Sequence, residues 1–217
     1  VIRPQVTVRH CAGRTVDLPP VPVGYGEYTD AVAALAAAPA TMKELAGWRG
    51  VLAGAADPAS GTALGVQADL LTSTVEIDAE TTADYLAADS VTAALVADIG
   101  AAVNDWRVAA GAEPAPLLLD VEGHGRDLGE LNLSRTVGWL TTVAPVRWES
   151  EPTAGATVAE QLDRPRYAYG LLRYANARTA RALAPAPRAQ ILVNYLGGMR
   201  LGAAQDWQPA PEARWTR

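Results

Sequence analysis

The chain has 217 residues, is 49% hydrophobic and 19% charged, and carries a net charge of −6. That length and balance suit one domain or lobe with a real core, and argue against disorder. The acidic balance leaves no basic footprint for nucleic acid, and the single cysteine, Cys11, excludes an internal disulfide. With no signal peptide and no apolar run long enough to cross a bilayer, a cytoplasmic, membrane-free location is expected.

In chain order, residues 1–10 alternate around Val6 and Val8 and predict an edge strand. Leu18 to Pro22 is a stiff proline connector. Tyr25, Tyr28, Val32 and Leu35 share one face of a predicted helix that Pro39 ends. Thr41 and Glu44 have capping-box spacing for a next helix with Met42, Leu45, Trp48 and Leu52 inward and Gly54 closing it. Residues 55–70 predict a loop and Thr74 to Asp78 an alternating strand. A short helix over 81–87 is followed by a longer one, capped by Asp89 or Ser90, whose stripe is Val91, Leu95, Ile99, Val103 and Trp106.

Leu117 to Glu122 is an apolar run ending in acid, the pattern of a buried strand whose last carboxylate emerges at its end. Gly123 and Gly125 bracket His124 and allow a sharp turn. Thr136 to Leu140 predicts a second buried strand that stops at Pro145-Val146, with Val137 and Trp139 in the core. Beyond a polar loop to Gly155, helices are expected over 157–162, 169–174 and 178–183, the last two separated near Asn176. Gln190 to Leu196 predicts a buried strand turned by Gly197-Gly198. Alternating strands and helices indicate an α/β (α+β) layered sandwich with a mixed sheet.

Four segments occur in a recognisable order: Glu-Gly-His-Gly-Arg (122–126), Ser-Arg-Thr-Val-Gly-Trp-Leu-Thr (134–141) with Pro145-Val146, Tyr-Gly-Leu-Leu-Arg-Tyr (169–174) and Asn-Tyr-Leu-Gly (194–197). Together they resemble the condensation and epimerization domains of nonribosomal peptide synthetases, the last two favouring the epimerization branch. Leu140 and Val193 stand where that family commonly has Phe. The resemblance implies a chloramphenicol-acetyltransferase-like lobe. Residues 1–22 would be a connector from a preceding N-terminal lobe and 23–217 a C-terminal lobe, with both ends cut. The family's His-His-x-x-x-Asp-Gly motif does not occur in this sequence, so the chain alone is expected to be inactive. The partners implied are that N-terminal lobe, on the same or a separate chain, and a peptidyl or acyl carrier protein. The carrier's phosphopantetheine arm would present the substrate, with no cofactor bound directly.

Epimerizing a thioester requires a base for the α-proton, an acid for the opposite face and help for the enolate oxygen. Read from the residues, Glu122 serves equally as a base or as an acid ion-paired with Arg126; the resemblance favours the base. His124 is expected to hold the loop or orient Glu122. Arg126 and Asp127 stabilise the turn, and Arg135 pairs with Asp120 or Glu122 or is solvated. Gly138 would let the opposite lobe or the pantetheine arm come close. Tyr169 and Tyr195 line the channel or pack with satisfied hydroxyls. Asn194, in an apolar strand, would be hydrogen-bonded to backbone or substrate. No metal-ligand spacing is present. A condensation reaction and a non-catalytic docking module remain the alternative readings.

Overall fold

The computed structural model describes residues 13, 19–55, 70–150 and 154–197. The expected strand over 1–10, most of the loop over 55–70 and the tail from 205 lie outside them. The chain divides into two units, Val23–Tyr195 and a second made of Val1–Pro22 with Leu196–Arg217, and nearly all of the second is outside the described residues.

Within Val23–Tyr195, three strands form one mixed sheet. Its centre is β1 (Leu117–Gly123), antiparallel to β2 (Thr142–Trp148) on one side and parallel to β3 (Ile191–Val193) on the other. The β1–β2 register runs from Leu117 opposite Trp148 to Gly123 opposite Thr142. Because side chains alternate across a strand, Leu117, Leu119 and Val121 face one side and Leu118, Asp120 and Glu122 the other.

Both faces are covered, so β1 opens on a continuous apolar run, Leu117 to Leu119, and carries its two acids toward its end. The first face joins Val146, Trp148 and Val193 beneath α5 (Val91–Ala109) and α6 (Ala154–Leu162), through Ala93, Val96 and Val158. The second packs Leu118 and Ala144 against Trp48 and Leu52 of α3 (Leu45–Leu52), Tyr169, Leu172 and Leu183. Tyr169 belongs to α7 (Arg166–Gly170), which runs into a π-helical turn, Leu171–Ala175, and then α8 (Ala177–Leu183). Burying each of these aliphatic side chains stabilises the fold by about 1.5–3 kcal/mol.

The expected Ser90 cap holds, and Asn176, expected only as the break between two helices, is a second cap. The Ser90 hydroxyl accepts from the Ala93 N–H at 3.2 Å at the start of α5. Asn176 opens α8, its Oδ1 accepting from the N–H groups of Arg178 and Thr179 at 3.1 and 3.3 Å. Its amide nitrogen donates to the Ala36 carbonyl of α1 (Tyr25–Ala37) at 2.8 Å, so one side chain both ends the π turn and ties it to α1.

Four expectations are corrected. Pro39 ends α1 but also opens α2 (Pro39–Lys43), because a proline at a first helical turn forfeits no hydrogen bond. Thr41 therefore lies inside α2, buried, and no side chain caps α3. Thr74 to Asp78 forms no strand: no segment among the described residues pairs with it, Val75 is 83% exposed, and Asp78 instead caps α4 (Ala79–Ala87), accepting from Thr81 N–H at 2.7 Å. The second strand is not 136–140 but Thr142–Trp148, with Pro145 at its middle. Proline is tolerated there because β2 is an edge strand among the described residues. The expected strand over 190–196 shortens to Ile191–Val193.

The outer edge of β2 is closed by a side chain. Gln161 of α6 accepts from the Arg147 N–H and donates to the Arg147 carbonyl, both at 2.8 Å, as a neighbouring strand would. On α5, a Cβ on Gly100 would lie 2.3 Å from the Trp148 indole. Gly100→Ala should therefore destabilise the protein. Overpacking costs about 1–3 kcal/mol, against a helix-propensity gain of at most about 1 kcal/mol. Urea midpoints measure the balance, and a variant as stable as the parent would contradict this packing.

Candidate functional site

The candidate site is the end of β1 and the loop that leaves it. Glu122 is half-buried, stands opposite Val143, and lies on the same face as Asp120 two residues earlier. Asn194 directly follows Val193, the partner of Val121, and so leaves the sheet at the level of Glu122.

The turn after Glu122 is held by its own residues. His124 is exposed, and its Nδ1 accepts from the Arg126 N–H at 2.9 Å. The Arg126 guanidinium donates to the carbonyls of Leu133 and, at 2.9 Å, Thr136. That grip fastens the loop over 126–136 and leaves Arg126 out of any ion pair with Glu122. Arg135 is exposed, and the one ion pair among the described residues is Arg147–Glu149. Neither arginine neutralises Glu122.

Other expected residues lie differently. The segment from Thr136 to Leu140 is irregular rather than extended. Thr136, whose hydroxyl donates to the Val23 carbonyl at 2.8 Å, and Leu140 are its buried anchors. Anchors four residues apart leave the residues between them outside, so Val137 and Trp139 are 86% and 82% exposed rather than core. Gly138 does meet a close approach, but from the Tyr25 ring, which would stand 2.3 Å from a Cβ there. Tyr169 takes the packed alternative: it is 6% exposed and lies tilted on Trp48 with ring centroids 5.2 Å apart. Asn194 is exposed rather than buried, and Tyr195 is 39% exposed.

Beneath Glu122 lies a polar cluster that the sequence did not reveal. Burial pushes the Asp120 carboxyl above its ordinary value, opposed by the positive charge of Arg173. Arg173 is 5% exposed and donates to the Leu183 carbonyl. Burial likewise raises the Tyr169 hydroxyl, with Arg173 opposing. Of the alternatives for Arg135, pairing with Asp120 or Glu122 or solvation, the exposed position fits solvation, and the charge that acts on Asp120 comes from the π-helical turn. A lone arginine between Leu172 and Tyr174 was the available signal, since a cation inside an apolar helical run needs a partner within the fold.

The sign of the Asp120 shift sets a pH dependence. The folded state holds that proton more tightly than the unfolded chain does. The resulting stability is fully present below the ordinary Asp value and is lost as pH rises through the raised one. Asp120→Asn should raise the melting temperature near pH 7 and flatten its decline from about pH 4 upward. Melts that keep the parent's slope would refute the assignment.

Known proteins share this architecture. No family model matches the chain. It is 41% identical over 131 residues to chondramide synthase cmdD of Chondromyces crocatus, covering 54% of this chain and 3% of that protein. It is 28% identical over 216 residues to a plipastatin synthase polypeptide of Bacillus subtilis (strain 168), covering 86% and 8%. Among solved structures, the epimerization domain from the third module of tyrocidine synthetase B superposes with a TM-score of 0.63 at 22% identity. That match covers 88% of this chain and 48% of that one. The chain is similar in sequence to stretches of these synthases and shares its fold with that epimerization domain. Its mixed sheet with helices on both faces is the chloramphenicol-acetyltransferase-like fold. The chain spans only a small part of the synthases it matches.

Among the described residues no group of three His, Cys, Asp or Glu side chains could hold a metal ion. No single helix there is long and apolar enough to cross a membrane.

Proposed function

We propose that this chain is part of an epimerization domain. In this reading it inverts the α-carbon of an L-aminoacyl or peptidyl thioester that a carrier protein presents on its phosphopantetheine arm. Glu122 is the base. The observation that carries the reading is the state of Glu122. It is a half-buried carboxylate at a strand end, and Arg126, its candidate counter-ion, is spent on two backbone carbonyls instead. A carboxylate left without a neutralising cation can accept a proton.

The residues around it favour a site completed by another surface. Val143 and Leu192, the register partners of Glu122 and Asp120, are both exposed, and so are Val137 and Trp139. Apolar side chains around a polar strand end suit coverage by a second lobe, which would also supply the acid for the opposite face.

The test uses the longer protein with a loaded carrier in D2O. Deuterium entering the α-carbon together with D-configured product supports epimerization. A new amide bond without exchange identifies a condensation domain. Carrier binding with neither product identifies a docking module.

A further inference from the structure

Residues 70–78 run into α4 without a turn or bend, and every one of them is exposed. Leu71, Val75 and Ile77 are 93%, 83% and 52% exposed. With Ser73 they fall on one side of an extended chain, and Thr72, Thr74, Glu76 and Asp78 fall on the other. Among the described residues, no backbone N–H or C=O from 70 to 77 makes a hydrogen bond. The stretch thus leaves an apolar side and a row of backbone groups to water at once. An apolar groove or a helix would cover the side chains and leave the backbone as it is. The edge of a β-sheet suits both, because it adds ladder hydrogen bonds and pairs alternate side chains.

The described residues of this chain hold no edge that fits. The outer edge of β2 is taken by Gln161, and β2 includes Pro145, which has no N–H to offer. The other edge strand, β3, is only Ile191–Val193, about 10 Å long against about 23 Å for residues 71–77. A second copy of the chain brings the same two edges. Two copies of the stretch paired with each other would make a two-stranded ribbon, which is marginal in water. The epimerization domain that superposes on this chain is about twice its extent, since the match covers 48% of it. We infer that residues 71–77 add as a strand to a sheet edge in the remaining part of the longer protein, with Leu71, Val75 and Ile77 on the buried face. This rests on the chain being one part of such a domain, and not on the role of Glu122.

Amide hydrogen exchange over 71–77, in this chain and in the longer protein, tests it. In this chain the amides should exchange as in an unstructured peptide, and in the longer protein about 100-fold more slowly. Rates within about threefold of each other would overturn the inference. Two proline variants give a second readout. N–H groups of adjacent residues point to opposite edges of a strand, so Thr74→Pro and Val75→Pro cannot both spare the ladder. One of them should restore fast exchange and lower the melting temperature of the longer protein. Both should leave this chain's melting temperature near the parent's, because neither residue is buried or held by a backbone hydrogen bond. Two prolines without effect on the longer protein would overturn the inference. So would protection of this chain that grows with its own concentration, which identifies a second copy, or protection that needs an added carrier protein. Protection without α-proton exchange would keep the pairing and remove the epimerization reading, and α-proton exchange without protection would do the reverse.

Discussion

Glu122→Gln is expected to lower α-proton exchange in the longer protein by about 10²–10⁴-fold, the range that a positioned general base contributes. The substitution keeps the size and shape of the side chain and removes only the oxygen charge that would accept the proton in the epimerization reading. Glu122 makes no ion pair among the described residues, so its charge is not part of the scaffold and stability should change little. In the epimerization reading carrier binding should persist, because only one charge is removed and the side chain keeps its shape. Exchange rates and carrier titration on the same preparation separate the two effects. Exchange within about tenfold of the parent would remove Glu122 as the base.

Gly125→Ala is expected to be the most damaging small substitution in the fold. Gly125 has φ +64°, and a Cβ there would lie 1.5 Å from the Leu140 carbonyl oxygen and 2.5 Å from its carbon. Unlike a side-chain tip, that carbonyl belongs to the backbone between buried Leu140 and β2, and it can yield only if the loop leaves its place. The cost should reach about 4 kcal/mol or more, among the large values that strain and steric clash produce. Domains are stable by only about 5–15 kcal/mol. Gly129→Ala is the matched control: its φ is +58° and nothing lies within 4 Å, so only the left-handed backbone penalty of about 1–2 kcal/mol applies. Chemical denaturation of the pair distinguishes clash from strain, and equal losses would show that the Leu140 contact is not limiting.

Helices were legible wherever their stops and caps were local. Ser90 and Asn176 cap the helices that their neighbours' periodicity predicted, and the end of α1 at Pro39 follows from the lost N–H of proline. Strands were less so. Val75 and Ile77 alternate as well as any strand in the chain, yet they remain exposed, because alternation describes a strand only when another edge is there to pair with it. The Thr136–Leu140 segment misled for the opposite reason. Its apolar residues suggested burial, while its hydrogen bonds and Arg126 impose a loop with Thr136 and Leu140 as anchors.

The candidate site divides in the same way. The motif located Glu122 at a strand end and the turn at Gly125, since acid, glycine and an apolar run are neighbours in sequence. It could not show Asp120 under the influence of Arg173, or Arg166 lying over Gly123, because each pair is far apart along the chain. By itself the sequence determined the helices opened by Ser90 and Asn176 and the apolar centre strand with a carboxylate at its end, all consequences of spacing along a few turns or pleats. Only the tertiary structure decided which cations stand beside that strand and which aromatic rings are buried. Those choices depend on how α7 and the π-helical turn pack onto the sheet, and packing at that distance leaves no periodic trace in the chain.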